Sequence, residues 1–126
     1  MIAADTSVLV EFLAGGVGED LEALAQALSQ GDVVVPPMVI TEIMSAQRPP
    51  ATIVEIFQAM RVLWPSDGYW ERAGRLRARL LRQRVKGRLA DALIAQSCLD
   101  YDVPLLTRDR DFRHFAQYGG LKLIQA

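Results

Sequence analysis

The stretch Val33-Val34-Val35-Pro36-Pro37-Met38-Val39-Ile40-Thr41-Glu42 decides the fold class. Its first three residues are β-branched and apolar, the composition of a core strand. The proline pair removes backbone donors, so that strand cannot simply continue. From Met38 to Gln47 the pattern is helical, and Glu42 falls about one turn beyond the prolines, near the carboxyl end of the strand. A buried strand feeding a helix, with an acid at the junction, is the unit from which parallel α/β sheets are built.

The same alternation extends in both directions. Toward the amino end, Ile2 to Asp5 opens the chain and leads into Thr6 to Val10, read as a buried strand followed by a turn or helix start, with Asp5 at a strand end. A glycine break at 15–18 precedes a helix over Glu19 to Gln30, whose Leu21, Leu24, Ala25 and Leu28 share one face. Toward the carboxyl end, Pro49-Pro50 separates a helix over Thr52 to Met60, and Val62 to Trp64 suggests a strand stopped by Pro65. Ser66 is positioned to cap a long helix reaching about Arg84, and a further helix spans Leu89 to Tyr101. Val103 to Thr107 and Leu121 to Ile124 read as the last strands. The expected architecture is a three-layer α/β/α sandwich with a mainly parallel central sheet, one domain over residues 1–126. Right-handed crossovers then bring the carboxyl ends of the strands to one edge.

Charge and composition narrow the function classes. The 14 Lys/Arg and 15 Asp/Glu residues nearly cancel, so the chain is not a polycation that coats nucleic acid, and any such role rests on local charge. One cysteine, Cys98, excludes an intramolecular disulfide and, with the lone His114, makes a zinc enzyme a poor fit. The start lacks a signal-peptide pattern, and no apolar run is long enough to span a membrane, so the expectation is a cytoplasmic protein with no membrane partner. Cys98 reads as a small core residue, His114 as structural or superficial, and Trp64 and Trp70 as packing residues.

Five carboxylates stand out because they follow or interrupt apolar segments: Asp5, Glu42, Asp91, Asp109 and Asp111. Asp91 shares its helical side with Ile94, Ala95 and Cys98, whereas Asp100 and Asp102 fall where exposure is easier. Taken singly, each has an ordinary reading as a helix cap, a dipole partner or a loop hydrogen-bonder. Taken together, acids that converge on one cavity repel unless a divalent cation turns repulsion into coordination, and all-oxygen ligands favour Mg²⁺ or Mn²⁺. Asp5, Glu42, Asp91 and Asp109 are the candidate metal ligands, with Asp111 supporting or replacing Asp109 in a catalytic set of all five. Thr6, Ser7 and Thr107 are candidates to orient a carboxylate or water. Arg72, Arg75, Arg79, Arg82 and Lys86 form a helical stripe in a segment without acids, and Arg108 and Arg110 extend it toward the acidic edge. Such a stripe can follow phosphates, or be a solvated helix or protein interface.

The opening IAADTSVLVEF, the segment VVVPPMVITEI, the stretch GRLADALIAQSCLDYDVPLL and the ending TRDRDF together resemble a PIN-domain ribonuclease, specifically a VapC-type toxin of a type II toxin–antitoxin system. The resemblance spans about 5 to 124, and its specificity lies in the order and spacing of pieces that are individually common. It implies a compact α/β/α domain that gathers acids around Mg²⁺ or Mn²⁺ and hydrolyses RNA. The family's first aspartate falls on Asp5, its glutamate on Glu42 and its central helix aspartate on Asp91; the late acid falls on Asp109 or Asp111. A homodimer and a cognate antitoxin that blocks the acidic site are implied partners. The alternative from another class is a non-catalytic acidic α/β regulatory domain that accepts phosphate on aspartate, although an early paired-acid motif for that role is missing.

Overall fold

The structure, a computed structural model, describes residues 1–49 and 51–124. Pro50 of the proline break, and Gln125 and Ala126 of the expected 1–126 domain, lie outside the described residues. In chain order the elements are β1 (Ile2–Ala4), α1 (Thr6–Leu13), α2 (Glu19–Ser29), β2 (Val33–Val35), α3 (Pro37–Met44), α4 (Ala51–Ala59) and β3 (Arg61–Val62). They continue as α5 (Tyr69–Arg82), α6 (Leu89–Asp100), β4 (Leu105–Leu106), α7 (Phe112–Gly119) and β5 (Leu123–Ile124). The sheet order is β3-β2-β1-β4-β5, and every neighbouring pair is parallel.

This order reverses direction once. From β1 the chain steps outward through β2 to β3, then crosses back to β4 on the other side of β1. With right-handed crossovers, the helices of the two halves cover opposite faces. They pack as two groups: α1 contacts α2 and α3, while α5, α6 and α7 contact one another, with α3 meeting α6 between the groups. The result is the expected α/β/α sandwich. The reversal lies between β1 and β4, in register Ala3 to Leu105 and Ala4 to Leu106, and such a switch point opens a crevice beyond the strands' carboxyl ends.

The fully buried Val34, Val35, Leu105 and Leu106 of the sheet join Val8, Leu9, Leu80, Ile94, Phe112 and Phe115 of the helices in one core. Burying each such side chain contributes on the order of 2 kcal/mol, offset by chain entropy. From Asp91 to Cys98, α6 is buried all round, because α3, α5 and α7 pack against it and its Ile94, Ala95 and Cys98 join the central core.

Several sequence expectations shift. Thr6–Val10 is helix rather than strand: Asp5 Oδ1 accepts the Val8 N–H at 3.3 Å and starts α1 immediately. Ser66 does not cap α5; that helix follows Gly68 in the left-handed region, and Ser66 Oγ instead accepts Arg72 Nη2 at 3.1 Å. The Val62–Trp64 strand becomes Arg61–Val62, and the last two strands shorten to Leu105–Leu106 and Leu123–Ile124. The sequence reading contained no helix after Asp111, where the two turns of α7 bury Phe112 and Phe115.

Candidate metal centre

The carboxyl ends of β1 and β4 are laced together by two hydroxyls. Ser7 Oγ donates to Asp5 Oδ1 at 2.6 Å and accepts the Arg108 N–H at 2.9 Å. Thr107 Oγ1 donates to Asp5 Oδ2 at 2.5 Å and accepts the Asp109 N–H at 2.9 Å. A serine or threonine beside a strand end can donate and accept at once, so these two side chains fix Asp5 and the start of the Asp109 loop as one unit. Burial pushes the Asp5 pKa up; the hydrogen bonds from Ser7, Thr107 and Val8 pull it back, and the Asp109 charge raises it further.

Glu42 arrives from α3, half-buried, with Oε1 accepting Thr6 Oγ1 at 2.7 Å. Asp91 lies in the first turn of α6, where the helix dipole favours a negative charge, yet only 7% of the residue is exposed. Its Oδ2 is buried and, among the described residues, has no hydrogen-bond partner. Burial first, then the charge of Asp109, lifts its pKa to about 6; Arg88 opposes that rise, and Glu42 and Asp111 add to it. Asp109 and Asp111 sit on the turn before α7, with Asp109 Oδ1 accepting the Asp111 N–H at 2.9 Å.

Asp91, Asp109 and Asp111 each bring a carboxylate oxygen within 4.8 Å of the others. Asp5 and Glu42 stand outside that trio but act on it through space: Asp5 feels Asp109, and Asp91 feels Glu42. The structure therefore gathers all five sequence candidates at one sheet edge in two tiers. The outer two have oxygens already engaged by hydroxyls, whereas Asp91 keeps one unsatisfied. An orphaned buried carboxylate oxygen is costly, by roughly 1–3 kcal/mol or more, and a cation held by three carboxylates removes that cost. The donor set is all oxygen and fits Mg²⁺ or Mn²⁺ better than a soft metal.

The cations are redistributed relative to the sequence stripe. Arg72 forms a 2.6 Å pair with Asp100, contrary to the expected easy exposure of that acid, and Arg77 and Arg79 donate to the Gly87 and Tyr118 carbonyls at 2.8 and 3.2 Å. Arg108 lies on the same cleft as Arg110 but has its charge committed to an acid. Its guanidinium embraces Asp20 through Nε and Nη2 and also donates to the Val17 carbonyl. Gly18, at φ +148°, permits this approach, since a Cβ there would lie 2.9 Å from Arg108 Nη2. Asp20 went unremarked in the sequence because an acid in a helix's first turn is ordinary; only its distant partner distinguishes it. Arg110 and Arg113 form no ion pair among the described residues and line a cleft of about 590 Å³ with Thr107 and Asp109.

Trp64 and Trp70, read as packing residues, are 65% and 63% exposed, Trp70 resting edge-on against Tyr69. Cys98 is fully buried as expected, and desolvation pushes its thiol up to about 12, so it offers no thiolate at neutral pH.

A PIN domain family model matches residues 2–118 of the chain. No curated protein sequence matches it significantly. Among solved structures, the DNA-bound VapBC from Salmonella typhimurium superposes with a TM-score of 0.75 at 17% identity, covering 98% of each chain. VapBC-1 from nontypeable Haemophilus influenzae gives 0.73 at 19% identity, covering 99% of this chain and 98% of its counterpart. VapBC-5 from Mycobacterium tuberculosis gives 0.67 at 21% identity with the same coverage. At these identities the likeness is one of fold.

Proposed function

The chain belongs to the PIN-domain family, and from that premise we propose that it is a metal-dependent ribonuclease, the toxin of a toxin–antitoxin pair. The observation that carries the reading is the buried, unpartnered Oδ2 of Asp91 within reach of Asp109 and Asp111. Three converging carboxylates are suited to holding a cation that activates water.

In this reading Asp91, Asp109 and Asp111 would hold Mg²⁺ or Mn²⁺, with Asp5 and Glu42 supporting them by charge. Such an ion, when bound, would supply activation of water and stabilisation of charge on phosphate oxygens. Thr107 and Ser7 keep Asp5 aligned with the Asp109 loop, and Thr6 does the same for Glu42. Arg110 and Arg113 attract the phosphodiester backbone into the cleft beside Asp109, which carries affinity rather than base choice. Hydrolysis by water is expected to leave 5′-phosphate and 3′-hydroxyl ends.

Several solved neighbours are toxin–antitoxin complexes, among them one from Klebsiella pneumoniae, and this motivates a cognate antitoxin as partner. The exposed Trp64 and Trp70 supply apolar surface for a homodimer, which light scattering over a concentration range tests. Among the described residues no helix is long and apolar enough to cross a membrane, and the cytoplasm, where RNA is abundant, is the proposed location.

The deciding experiment compares wild type with folded Asp91→Asn on matched RNA and DNA, with Mg²⁺ or Mn²⁺ and then a chelator. Cleavage of RNA that needs the metal and collapses in the variant is the expected outcome. Undiminished cleavage by Asp91→Asn, or a preference for DNA, removes the reading.

A further inference from the structure

Residues 83–88 join α5 to α6, and their backbone is pinned on both sides of Lys86. Arg84 turns the chain in the left-handed region at φ 58°, and the Val85 N–H returns to the Leu80 carbonyl at 3.4 Å while its side chain packs on the core. On the other side Gly87 is buried, its carbonyl accepting Arg77 Nε at 2.8 Å. A Cβ at Gly87 would stand 3.2 Å from Leu80 Cβ, so the connection lies tight against α5.

Between these anchors the Lys86 side chain leaves toward the acidic trio and places Nζ 3.3 Å from Asp111 Oδ2. An exposed lysine on a free loop wanders over many rotamers, and its ion pairs contribute little. Here the stem's origin is fixed, and the acid it meets is one of the three whose oxygens converge. A divalent ion and an ammonium so close to the same carboxylate repel each other.

We propose that Lys86 is a positioning residue, an internal counter-cation that competes with the metal for Asp111 and holds divalent-ion affinity below what the carboxylates alone would give. This rests on the metal reading of the trio. Lys86 stabilises the clustered acids before the ion arrives, and its flexible four-carbon stem lets the ammonium withdraw toward solvent when the ion binds.

The test measures Mn²⁺ affinity of the purified full chain, by calorimetry and by the electron paramagnetic resonance signal of free Mn²⁺. Lys86→Met and Lys86→Gln are expected to bind Mn²⁺ roughly three- to ten-fold more tightly than wild type, the range for removing one nearby, partly screened charge. Lys86→Arg, which restores the charge, should stay near wild type. Arg84→Met removes an equal charge from the same connection, at an exposed side chain that forms no ion pair among the described residues, and should give a distinctly smaller gain. Unchanged affinity in both neutral Lys86 variants overturns the inference while leaving the metal site standing, and so does an equal gain in Arg84→Met, which assigns the effect to the field of the whole loop. Absence of Mn²⁺ binding by wild type overturns both this inference and the metal reading.

Discussion

Asp20 and Asp91 are buried to nearly the same degree, 5% and 7% exposed, and each lies in the first turn of a helix, yet their surroundings push them in opposite directions. Asp20 meets the fork of Arg108, whose hydrogen bonds hold its carboxyl below the usual range. Asp91 meets other carboxylates, and desolvation with the charge of Asp109 lifts it to about 6. Burial alone therefore does not mark a reactive acid. What marks it is an oxygen left without a partner among like charges.

The largest effect separating the two is on turnover. Asp91→Asn keeps the shape of the side chain but removes a charge from the trio, so RNA cleavage should fall by at least about 100-fold, the scale of losing a principal electrostatic contact in a transition state. Asp20→Asn should show the reverse order, a melting temperature lower by several degrees with a much smaller loss of cleavage, because it breaks a structural pair. Calorimetric melts beside single-turnover assays read both; if Asp20→Asn proves the more damaging to turnover, the distinction between the two acids fails.

Metal should sharpen the contrast next. Added Mn²⁺ stabilises the folded form alone, by about 2.7 kcal/mol at one hundred times its dissociation constant, so wild type and Asp20→Asn should both melt higher with the ion. Asp91→Asn should show little of that rise, and an undiminished one would mean that the ion binds elsewhere.

Acid titration in chelator follows, and here the two residues have opposite signs. Asp91 is raised from 3.8 to about 6, so between those values the folded chain holds a proton that the unfolded chain has released. Stability from this group is full below about 3.8, falls as pH rises, and is gone above about 6. Asp5, also raised by burial, works in the same direction. Asp20 is lowered, so its contribution is present above 3.8 and lost as pH falls through its folded value. Denaturant melts across this range should show a weaker declining limb in Asp91→Asn, where Asp5 still contributes, and a weaker rising limb in Asp20→Asn, where Asp100 still contributes.

The smallest expected effect tests the outer tier. Thr107→Val removes the hydroxyl that links Asp5 to the Asp109 backbone, and a roughly ten-fold loss of cleavage with metal affinity largely kept is expected from a residue that only orients others. A complete loss would place Thr107 among the groups that touch the reacting atoms.

Much of the sheet could be read along the chain. Val33–Val35 followed by two prolines specifies a stopped strand through side-chain branching and missing donors, which are local properties. Strand–helix alternation fixes the α/β class for the same reason; the spacing of Asp91, Ile94, Ala95 and Cys98 pointed to a helix with one buried side, whereas that helix is buried all round. The stretch after Ala4 misled because the β-branched Thr6, Val8 and Val10 favour a strand by propensity, and the Asp5 cap, worth about 1 kcal/mol, combined with packing to win. Helix α7 hid behind the unremarkable run Arg113 to Gln117, although Phe112 and Phe115 at helical spacing were its available signal.

The acids themselves were visible as types in suggestive places, but nothing along the chain sorts them into tiers. That Asp111 joins Asp91 and Asp109, while Asp5 and Glu42 are held by hydroxyls, depends on side chains separated by as many as 102 positions meeting at the switch between β1 and β4. So does the fate of the cations, with Arg108 drawn to Asp20 and Lys86 to Asp111. Local propensity is settled within a few residues of the chain, but electrostatic partnership is settled by distance in space, which only the folded sheet decides.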